Sequence, residues 1–465
     1  MDLRSLLYNL PEVKRPDEKK LGFNVKLKWT LMVLASFFIL ANIPVFGLSA
    51  NSLSRFEYLA IILGTEFGSI ISLGIGPIVM SSIILQLLVG SGILKIDTKS
   101  PEGKKYFQGL QKLGVLFFII FESMVYVLMG GLQAMPGLTG LVIFQLVLGG
   151  LAIMFMDEVS QKWGFGSGVS LFILAGVAWR LFTGLFQFMG AAGENCLIDF
   201  SGTQCAGKVL IIIQSVVNPA PKELMSAVAA IIVTAIIFLV AVWGQSLKVE
   251  IPLSYERLRG MSMKWPLAFF YASNIPVILA AALEANIQLF GGILENWVGH
   301  ATFIGHFVNG RAESGLAFWF GSSNIVDTII RSNGLSTVPG SIFLQALTHI
   351  IFYMALSAVF AVFWVKTAGM DETSQAKNIL ASGLQIPGFR KDPRVLETIL
   401  KRYIMPLTIM GGLAIGALAG FADSLGALTS GTAILLAVMI AYQFYQNIAQ
   451  QHAVDMHPAL RKVMG

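Results

Sequence analysis

Residues Gly74-Ile75-Gly76-Pro77-Ile78-Val79 interrupt an apolar run that extends from about Ile70 to Leu94. A second run, from about Trp265 to Phe290, is interrupted in the same manner by Ser273-Asn274-Ile275-Pro276-Val277-Ile278. In both, small or polar residues precede a proline and β-branched residues follow it. Proline has no backbone N–H and its ring collides with the preceding helical turn. Inside a lipid-facing segment such a break is tolerated only where protein or water satisfies the freed backbone groups. Interrupted helices at matching places in two repeats point to a path through the membrane. Gly and Pro are also more frequent in membrane helices generally, so the pair by itself leaves both readings open.

Outward from these two runs the chain continues in kind. Eight further apolar stretches bring the total to ten: about Trp29 to Leu48, Leu113 to Leu128 with its flanks, Leu138 to Met156, Phe165 to Phe186, Met225 to Trp243, Ile342 to Val365, Tyr403 to Phe421 and Leu425 to Phe444. Each is near the roughly 20 residues that cross a bilayer as a helix, and none shows the ten-residue alternation of a membrane barrel strand. Only 12% of the 465 residues are charged while 55% are hydrophobic, against about 25% charged in ordinary soluble domains. Soluble, disordered, collagenous and disulfide-scaffold classes are excluded on these figures. The predicted class is an all-α membrane protein with ten transmembrane helices.

The longest connection, about Gly190 to Glu223, divides the ten into five and five. An odd number per half places the halves in opposite orientation, which is the arithmetic of an inverted repeat. The predicted halves are 1–190 and 191–465, the second carrying long loops at 244–265 and 366–402. Of the 32 Lys and Arg residues, 26 fall in the N-terminal segment, the tail and the loops on one side. Positive loops face the cytoplasm, so both termini are predicted to be cytoplasmic, in a multi-pass protein of the cell (plasma) membrane. Leu3, Leu6, Leu7 and Leu10 share one helical face ahead of the first run. They fit either a short amphipathic helix on the inner membrane surface or a plain leader. Cys196 and Cys205 lie in the predicted external connection. A disulfide is permitted there, though a spacing of nine does not oblige the two to meet. Tyr58 to Gly64 is apolar but too short to cross, with Arg55 and Glu57 before it and Glu66 after it. It is either a re-entrant piece buried in protein or an interfacial helix.

Enzyme chemistry is absent from the pattern. There is no G-x-x-x-x-G-K-[ST], no H-E-x-x-H and no C-x-x-C, and the five His have no ligand spacing. His349 alone lies inside a run, where packing or a hydrogen bond to a neighbouring helix accounts for it. Glu122 and Glu284 are the two carboxylates within runs. Glu284 falls near the predicted outer end of its run, where interfacial solvation suffices. Glu122 lies deeper, and ionisable groups at depth face protein or water. Two such groups are few for an ion-coupled transporter of a small solute, the alternative class for a polytopic chain. The expectation is a protein that is not an enzyme and works without a cofactor or metal.

Longer motifs narrow this further. The stretch Gly74 to Val79 with Ile83-Ile84-Leu85-Gln86-Leu87-Leu88-Val89-Gly90-Ser91-Gly92 resembles the second span of the SecY family, the central subunits of protein-conducting channels. The likeness continues, in order, through Phe107-Gln108-Gly109, Asp157-Glu158, Gly166-Ser167-Gly168 and Val249-Glu250-Ile251-Pro252-Leu253. Ser273 to Ala282, Gly388-Phe389-Arg390-Lys391 and Lys401-Arg402-Tyr403-Ile404 complete it. It covers essentially the whole chain and is nearest the archaeal branch.

The resemblance implies a clamshell of two inverted five-helix halves around an hourglass channel. Unfolded secretory chains would cross it, and hydrophobic helices would leave sideways between spans two and three and spans seven and eight. By local match the apolar ring that narrows the pore would be Ile75, Val79, Val169, Ile173, Ile278 and Leu436. A ring without hydrogen-bonding groups closes around a polypeptide without gripping it, and opposes ions when idle. The segment Tyr58, Leu59, Ile61, Ile62, Leu63 and Gly64, extended to about 54–67, takes the place of a plug. Gln86, Glu122 and Asn274 match the polar gate seam. Asn274 read alone is an ordinary interhelical hydrogen-bonding residue. Met80 departs from a common Thr, with Ser81 and Ser82 beside it as candidates to compensate. Arg257, Arg259, Arg390 and Lys391 match loops that dock the ribosome, although basic inner loops also serve topology alone. The implied partners are a SecE-type small subunit, a small beta subunit, the ribosome through its RNA, signal peptides with nascent chains, and the lipid bilayer.

Overall fold

A computed structural model describes residues 7, 10–17, 21–48, 68–90, 93–94, 96, 100–128, 132–188, 196, 205–255, 262–272, 274–308, 311–332, 338–381, 384–385 and 392–456. Among them the long apolar stretches are mainly helical. Five helices form the first group: α1 (Phe23–Ala41), α2 (Gly76–Gly90), α3 (Pro101–Leu128), α4 (Thr139–Trp163) and α5 (Gly168–Phe186). A short helix, α6 (Lys208–Val217), lies in the long connection. The second group is α7 (Pro221–Ser246), α8 (Ile275–Val298), α11 (Gly340–Thr367), α13 (Pro393–Ser424) and α14 (Gly431–Met456). Nine of these ten are long and apolar enough to cross a membrane, and α2 is a shorter apolar helix.

Several boundaries depart from the apolar runs. The first helix begins at Phe23 and ends at Ala41, because Lys26 and Lys28 are accommodated on its first turns while Pro44 stops it. The second begins only at Gly76, and Ile70 to Ile75 form turns. Trp265 belongs to a strand, not to a span: β1 (Lys248–Tyr255) and β2 (Ser262–Ala268) form an antiparallel hairpin in which Ile251 faces Trp265. An apolar strand running into an apolar helix shows no break in hydrophobicity, so the sequence merged the two. The ninth and tenth helices begin at Pro393 and Gly431. The long connection contains α6, whose Ile213, Val216 and Val217 are exposed.

A two-residue strand, β5 (Leu384–Gln385), joins the hairpin in the order β2-β1-β5, at the end that carries most of the basic loops. At the opposite end a small hairpin, β3 (His306–Val308) with β4 (Arg311–Ser314), leads into the short helices α9 (Leu316–Phe320) and α10 (Ile325–Arg331). Helix α12 (Glu372–Ala381) packs on α13 near the basic end. Cys196 and Cys205 are joined in a disulfide, with Cα atoms 5.6 Å apart, which resolves the question their spacing left open.

Close approach of helices sets the core. On α13 the series Gly412, Gly416 and Gly420 presents backbone to α11: a Cβ at Gly416 would lie 2.5 Å from the Tyr353 carbonyl oxygen, and one at Gly420 2.8 Å from the Ile350 Cα. Small residues four apart let membrane helices touch along their length. In the first group aromatic pairs do more of the work. Phe37 of α1 stacks on Phe172 of α5 at 4.8 Å, and Trp29 meets Trp163 at 5.4 Å. Residues 11–17 lie across the basic ends of α3 and α4 without helix. Val13 N–H donates to Glu158 Oε2 at 2.9 Å, and Trp163 Nε1–H donates to the Lys14 carbonyl at 2.9 Å. The strap follows the predicted leader helix, of which Leu7 is helical and buried beside Gly109 of α3; Leu3 and Leu6 lie outside the described set.

Among the described residues the two groups meet on two sides, with α1 also touching α14 on one of them. Helix α5 packs on α14, and on the other side α2 packs on α8 and α11.

Candidate channel and lateral seam

Each candidate ring residue lies within the first two turns of its helix or directly before it. Ile75 precedes α2, and Val79 N–H donates to its carbonyl at 3.0 Å, so the two stack one turn apart. Gly74 holds φ +54°, a conformation that a side chain adopts only at a cost. That left-handed residue lets the chain turn sharply enough for α2 to begin at the proline. On α8, Pro276 sits in the first turn and Ile278 N–H donates to the Asn274 carbonyl at 3.1 Å. Proline in a first helical turn loses no intrahelical bond, since that N–H has no partner there anyway. The same device thus starts both helices.

Val169 and Ile173 stand at the start of α5. Its first turn is capped by the Ser167 hydroxyl and by Asp157, whose Oδ1 accepts from Val169 N–H at 2.9 Å. Gln161 holds the other oxygen at 2.8 Å. Gly168 makes room, because a Cβ there would lie 2.6 Å from the Asp157 Cα. Asp157 therefore fixes the backbone of a ring position, a role that the motif Asp157-Glu158 did not disclose. Leu436 follows from α14, whose start is held by Thr432 N–H donating to Asp423 Oδ1 at 2.8 Å. Ile75, Val79, Ile173, Ile278 and Leu436 are all buried in one apolar cluster, against which Val169 is partly buried. These six residues, remote in sequence, belong to the same large apolar cluster.

The seam beside this cluster is formed by α2 and α3 against α8 and α11. Tyr126 of α3 packs in one cluster with Ala285 and Leu289 of α8. Toward the basic end a Cβ at Gly90 would lie 3.2 Å from the Phe363 Cβ of α11. Gln86, Glu122 and Asn274 are buried at 4%, 2% and 1% exposure. Gln86 Oε1 and Glu122 Oε1 have no hydrogen-bond partner among the described residues. A buried polar atom without a partner forfeits about 1–3 kcal/mol, so water admitted at an opening seam would stabilise both. Ser81 and Ser82 do not serve the seam. Ser81 Oγ donates to the Gln111 carbonyl at 2.8 Å and Gln111 Nε2 donates to Ser82 Oγ at 2.7 Å, which binds α2 to α3 instead.

Glu284 departs most from its sequence reading. It is 1% exposed and enclosed by protein, not solvated at an interface. Apolar residues flank it on both sides, and nothing local reveals that Tyr353 comes to meet it. The plug residues Tyr58, Leu59, Ile61, Ile62, Leu63 and Gly64, and the loop residues Arg257, Arg259, Arg390 and Lys391, lie outside the described residues. Of the residues flanking the plug segment, Pro44 bridges Ser69 and Leu48 bridges Ala134. No group of His, Cys, Asp and Glu able to hold a metal ion occurs among the described residues.

The family model for SecY matches residues 69–445. The chain belongs to the SecY family. Protein translocase subunit SecY of Methanothermobacter thermautotrophicus is 40% identical over 98% of this chain and 97% of its own length. That of Archaeoglobus fulgidus is 39% identical over 100% of this chain and 98% of its own. A solved structure of a protein-conducting channel aligns with a TM-score of 0.84 at 38% identity, covering 99% of each chain. Sec61 in the canine ribosome-channel complex from the endoplasmic reticulum aligns at 0.81 with 38% identity, again over 99% of each. Over almost its whole length this SecY-family chain shares the overall fold of those channels.

Proposed function

We infer that this chain is the pore-forming subunit of a protein translocase, passing unfolded secretory polypeptides across the membrane and releasing hydrophobic helices into lipid between α2/α3 and α8/α11. It is a translocation channel, not a transporter of small solutes. One observation carries the reading: residues from the starts of four helices meet in a single apolar cluster beside a seam with buried, unsatisfied polar oxygens. A constriction without donors or acceptors lets a polypeptide backbone slide, and dewetting seals it when idle. The polar seam provides the sideways exit.

Ile75, Val79, Val169, Ile173, Ile278 and Leu436 act as the ring. Gln86, Glu122 and Asn274 let water wet the gate. The segment 54–67 acts as a plug, in keeping with a related structure, aligned at a TM-score of 0.83, in which the plug domain stabilises the closed state. The halves are 1–190 and 191–465, hinged where α5 meets α14. The basic end faces the cytoplasm, with both termini there and the chain in the plasma membrane. Arg257, Arg259, Arg390 and Lys391 meet ribosomal RNA, and a SecE-type and a small beta subunit complete the assembly. The kinship to Sec61 in a ribosome complex supports the ribosome as partner.

A photo-crosslinker at Ile278 and at Asn274, with a stalled secretory chain engaged, tests this. Ile278 is expected to label the mature chain and Asn274 the signal helix. Absence of nascent-chain adducts at both sites overturns the reading. Arg257→Glu with Arg390→Glu is expected to weaken ribosome binding, with a shallower salt dependence. Parental affinity across a salt series removes the ribosome assignment.

A further inference from the structure

A chain of buried polar groups runs through the second helix group, and neither ring nor seam uses it. Glu284 Oε2 accepts from the Tyr353 hydroxyl of α11 at 2.5 Å, and its Oε1 accepts from Gln288 Nε2 at 3.0 Å. The Tyr353 ring lies 4.7 Å from that of His349, which is fully buried. His349 Nδ1 is 2.6 Å from the Phe320 carbonyl of α9. A carbonyl only accepts, so Nδ1 carries the proton. Nε2 lies 3.6 Å from Asp423 Oδ2, close enough for an ion pair but not hydrogen-bonded. Asp423, on the last turn of α13, also takes the Thr432 hydroxyl and backbone N–H. Thr432 lies one turn before Leu436 on α14.

The direction of this chain around α8 matters. Ala285 and Leu289, one turn apart, face Tyr126 across the seam. Glu284 and Gln288 are displaced from them by one residue each, about 100° around the helix, and turn toward α11. The gate helix thus has one face on the seam, where Ala285 and Leu289 pack in one apolar cluster with Tyr126. Its adjacent face is bound by charge-assisted hydrogen bonding, which is about twice as strong as the neutral kind.

We propose that Glu284 is a positioning residue for gate opening: through Tyr353 and the His349–Asp423 pair it fastens α8 to α11, α13 and the start of α14. The second group then moves as one body, and separation occurs at α2/α3 against α8, not between α8 and α11. This rests on the channel reading above and deepens it. Polar bonds in a bilayer that have no water to compete have few alternatives once broken, which keeps α8 in register with the ring residue Leu436.

The test uses the full chain purified with its bound subunits and reconstituted in vesicles. Spin labels replace Trp297 of α8 and Leu344 of α11, both exposed, and a disulfide reporter across the seam uses Gly90→Cys with Phe363→Cys. In the parent the α8–α11 distance is expected to stay unchanged when a hydrophobic signal peptide binds, while the seam reporter forms more slowly. Tyr353→Phe and Glu284→Ala are expected to broaden the α8–α11 distance distribution and to raise the idle ion leak about tenfold, the worth of one charge-assisted bond. Glu284→Gln, which keeps an acceptor for Tyr353, is expected to restore the narrow distribution. Parental α8–α11 distances in Tyr353→Phe overturn the proposal, and that variant decides should Glu284→Ala fail to fold. The idle-state distance needs no translocation, so a narrow parental distribution without nascent-chain adducts would refute the channel reading while leaving this coupling intact.

Discussion

The gate helices α2 and α8 begin with the same chemical device, a proline in the first turn after a break, yet they are held in opposite ways. Helix α8 is bound on its far side to α11 through Glu284 and Tyr353, within a group whose α11 and α13 are joined by the His349–Asp423 pair and meet backbone to backbone at Gly416 and Gly420. Helix α2 is tied to α3 through Ser81, Ser82 and Gln111, and faces the seam with Gln86 Oε1 unsatisfied, next to a Glu122 in the same condition. The α8 carboxylate is hydrogen-bonded to its neighbour helix while the Glu122 Oε1 of α3 is not, although α11 too holds atoms unsatisfied among the described residues, at His349 Nε2 and Ser357 Oγ. On the proposal above, such a seam opens by moving the α2/α3 side against α8.

The largest effect expected concerns the firm side. Gly416→Leu puts a side chain where the Tyr353 carbonyl lies 2.5 Å away. Overpacking usually costs ~1–3 kcal/mol, and here the obstacle is backbone, so loss of folded protein on detergent extraction is expected. Recovery of a parental melting profile would show that the firm body is not firm. Next, Ile75→Gly with Val79→Gly removes two ring members from the α2 side, and the idle channel is expected to conduct ions in planar bilayers. Unchanged conductance would count against that ring.

The sharpest contrast comes from one substitution made twice. Glu122→Leu removes a buried oxygen without a partner and is expected to stabilise the closed chain by about 1 kcal/mol and to reject weakly hydrophobic signal helices. Glu284→Leu removes the acceptor of Tyr353 and is expected to destabilise by about 1–3 kcal/mol. Thermal melting of the two variants side by side decides it, and shifts of the same sign would dissolve the distinction between the gate helices.

The smallest effect lies on the strap across α3 and α4. Hydrogen bonding to Lys162, outweighing desolvation, holds the Glu12 carboxyl below its ordinary value of 4.5. A carboxylate with a lowered value contributes stability above its unfolded value and loses it as pH falls through the lowered one. Strap release, read by proteolysis near Lys14, is therefore expected to increase only below about pH 4.5, and Glu12→Gln to mimic it at neutral pH. Equal protection of parent and Glu12→Gln across the pH series would remove Glu12 from the strap contact.

Much of this fold is legible in the residues. Ten apolar runs became ten apolar helices, because twenty apolar residues in lipid have no other way to satisfy their backbone. Helix starts were read less well where apolar strand met apolar helix, as at Trp265, or where a helix began in charged residues, as at Pro393. The ring residues came from family resemblance, since periodicity does not distinguish Ile278 from any other buried isoleucine. Asp157 was visible as a motif but its work was not, because the amide it caps belongs to the next helix. Glu284, His349 and Asp423 are separated by 65 and 74 positions, and only helix packing brings them together.

Sequence alone determined that this chain crosses the membrane many times, in two groups of five, with two spans broken by proline. Those properties follow from local chemistry: hydrocarbon length, charge placement and a missing N–H. The tertiary structure alone decided which broken span is clamped and which is poised. That outcome depends on partners donated by other helices, and a carboxylate carries no sign of whether its neighbour in space is a tyrosine hydroxyl or nothing at all.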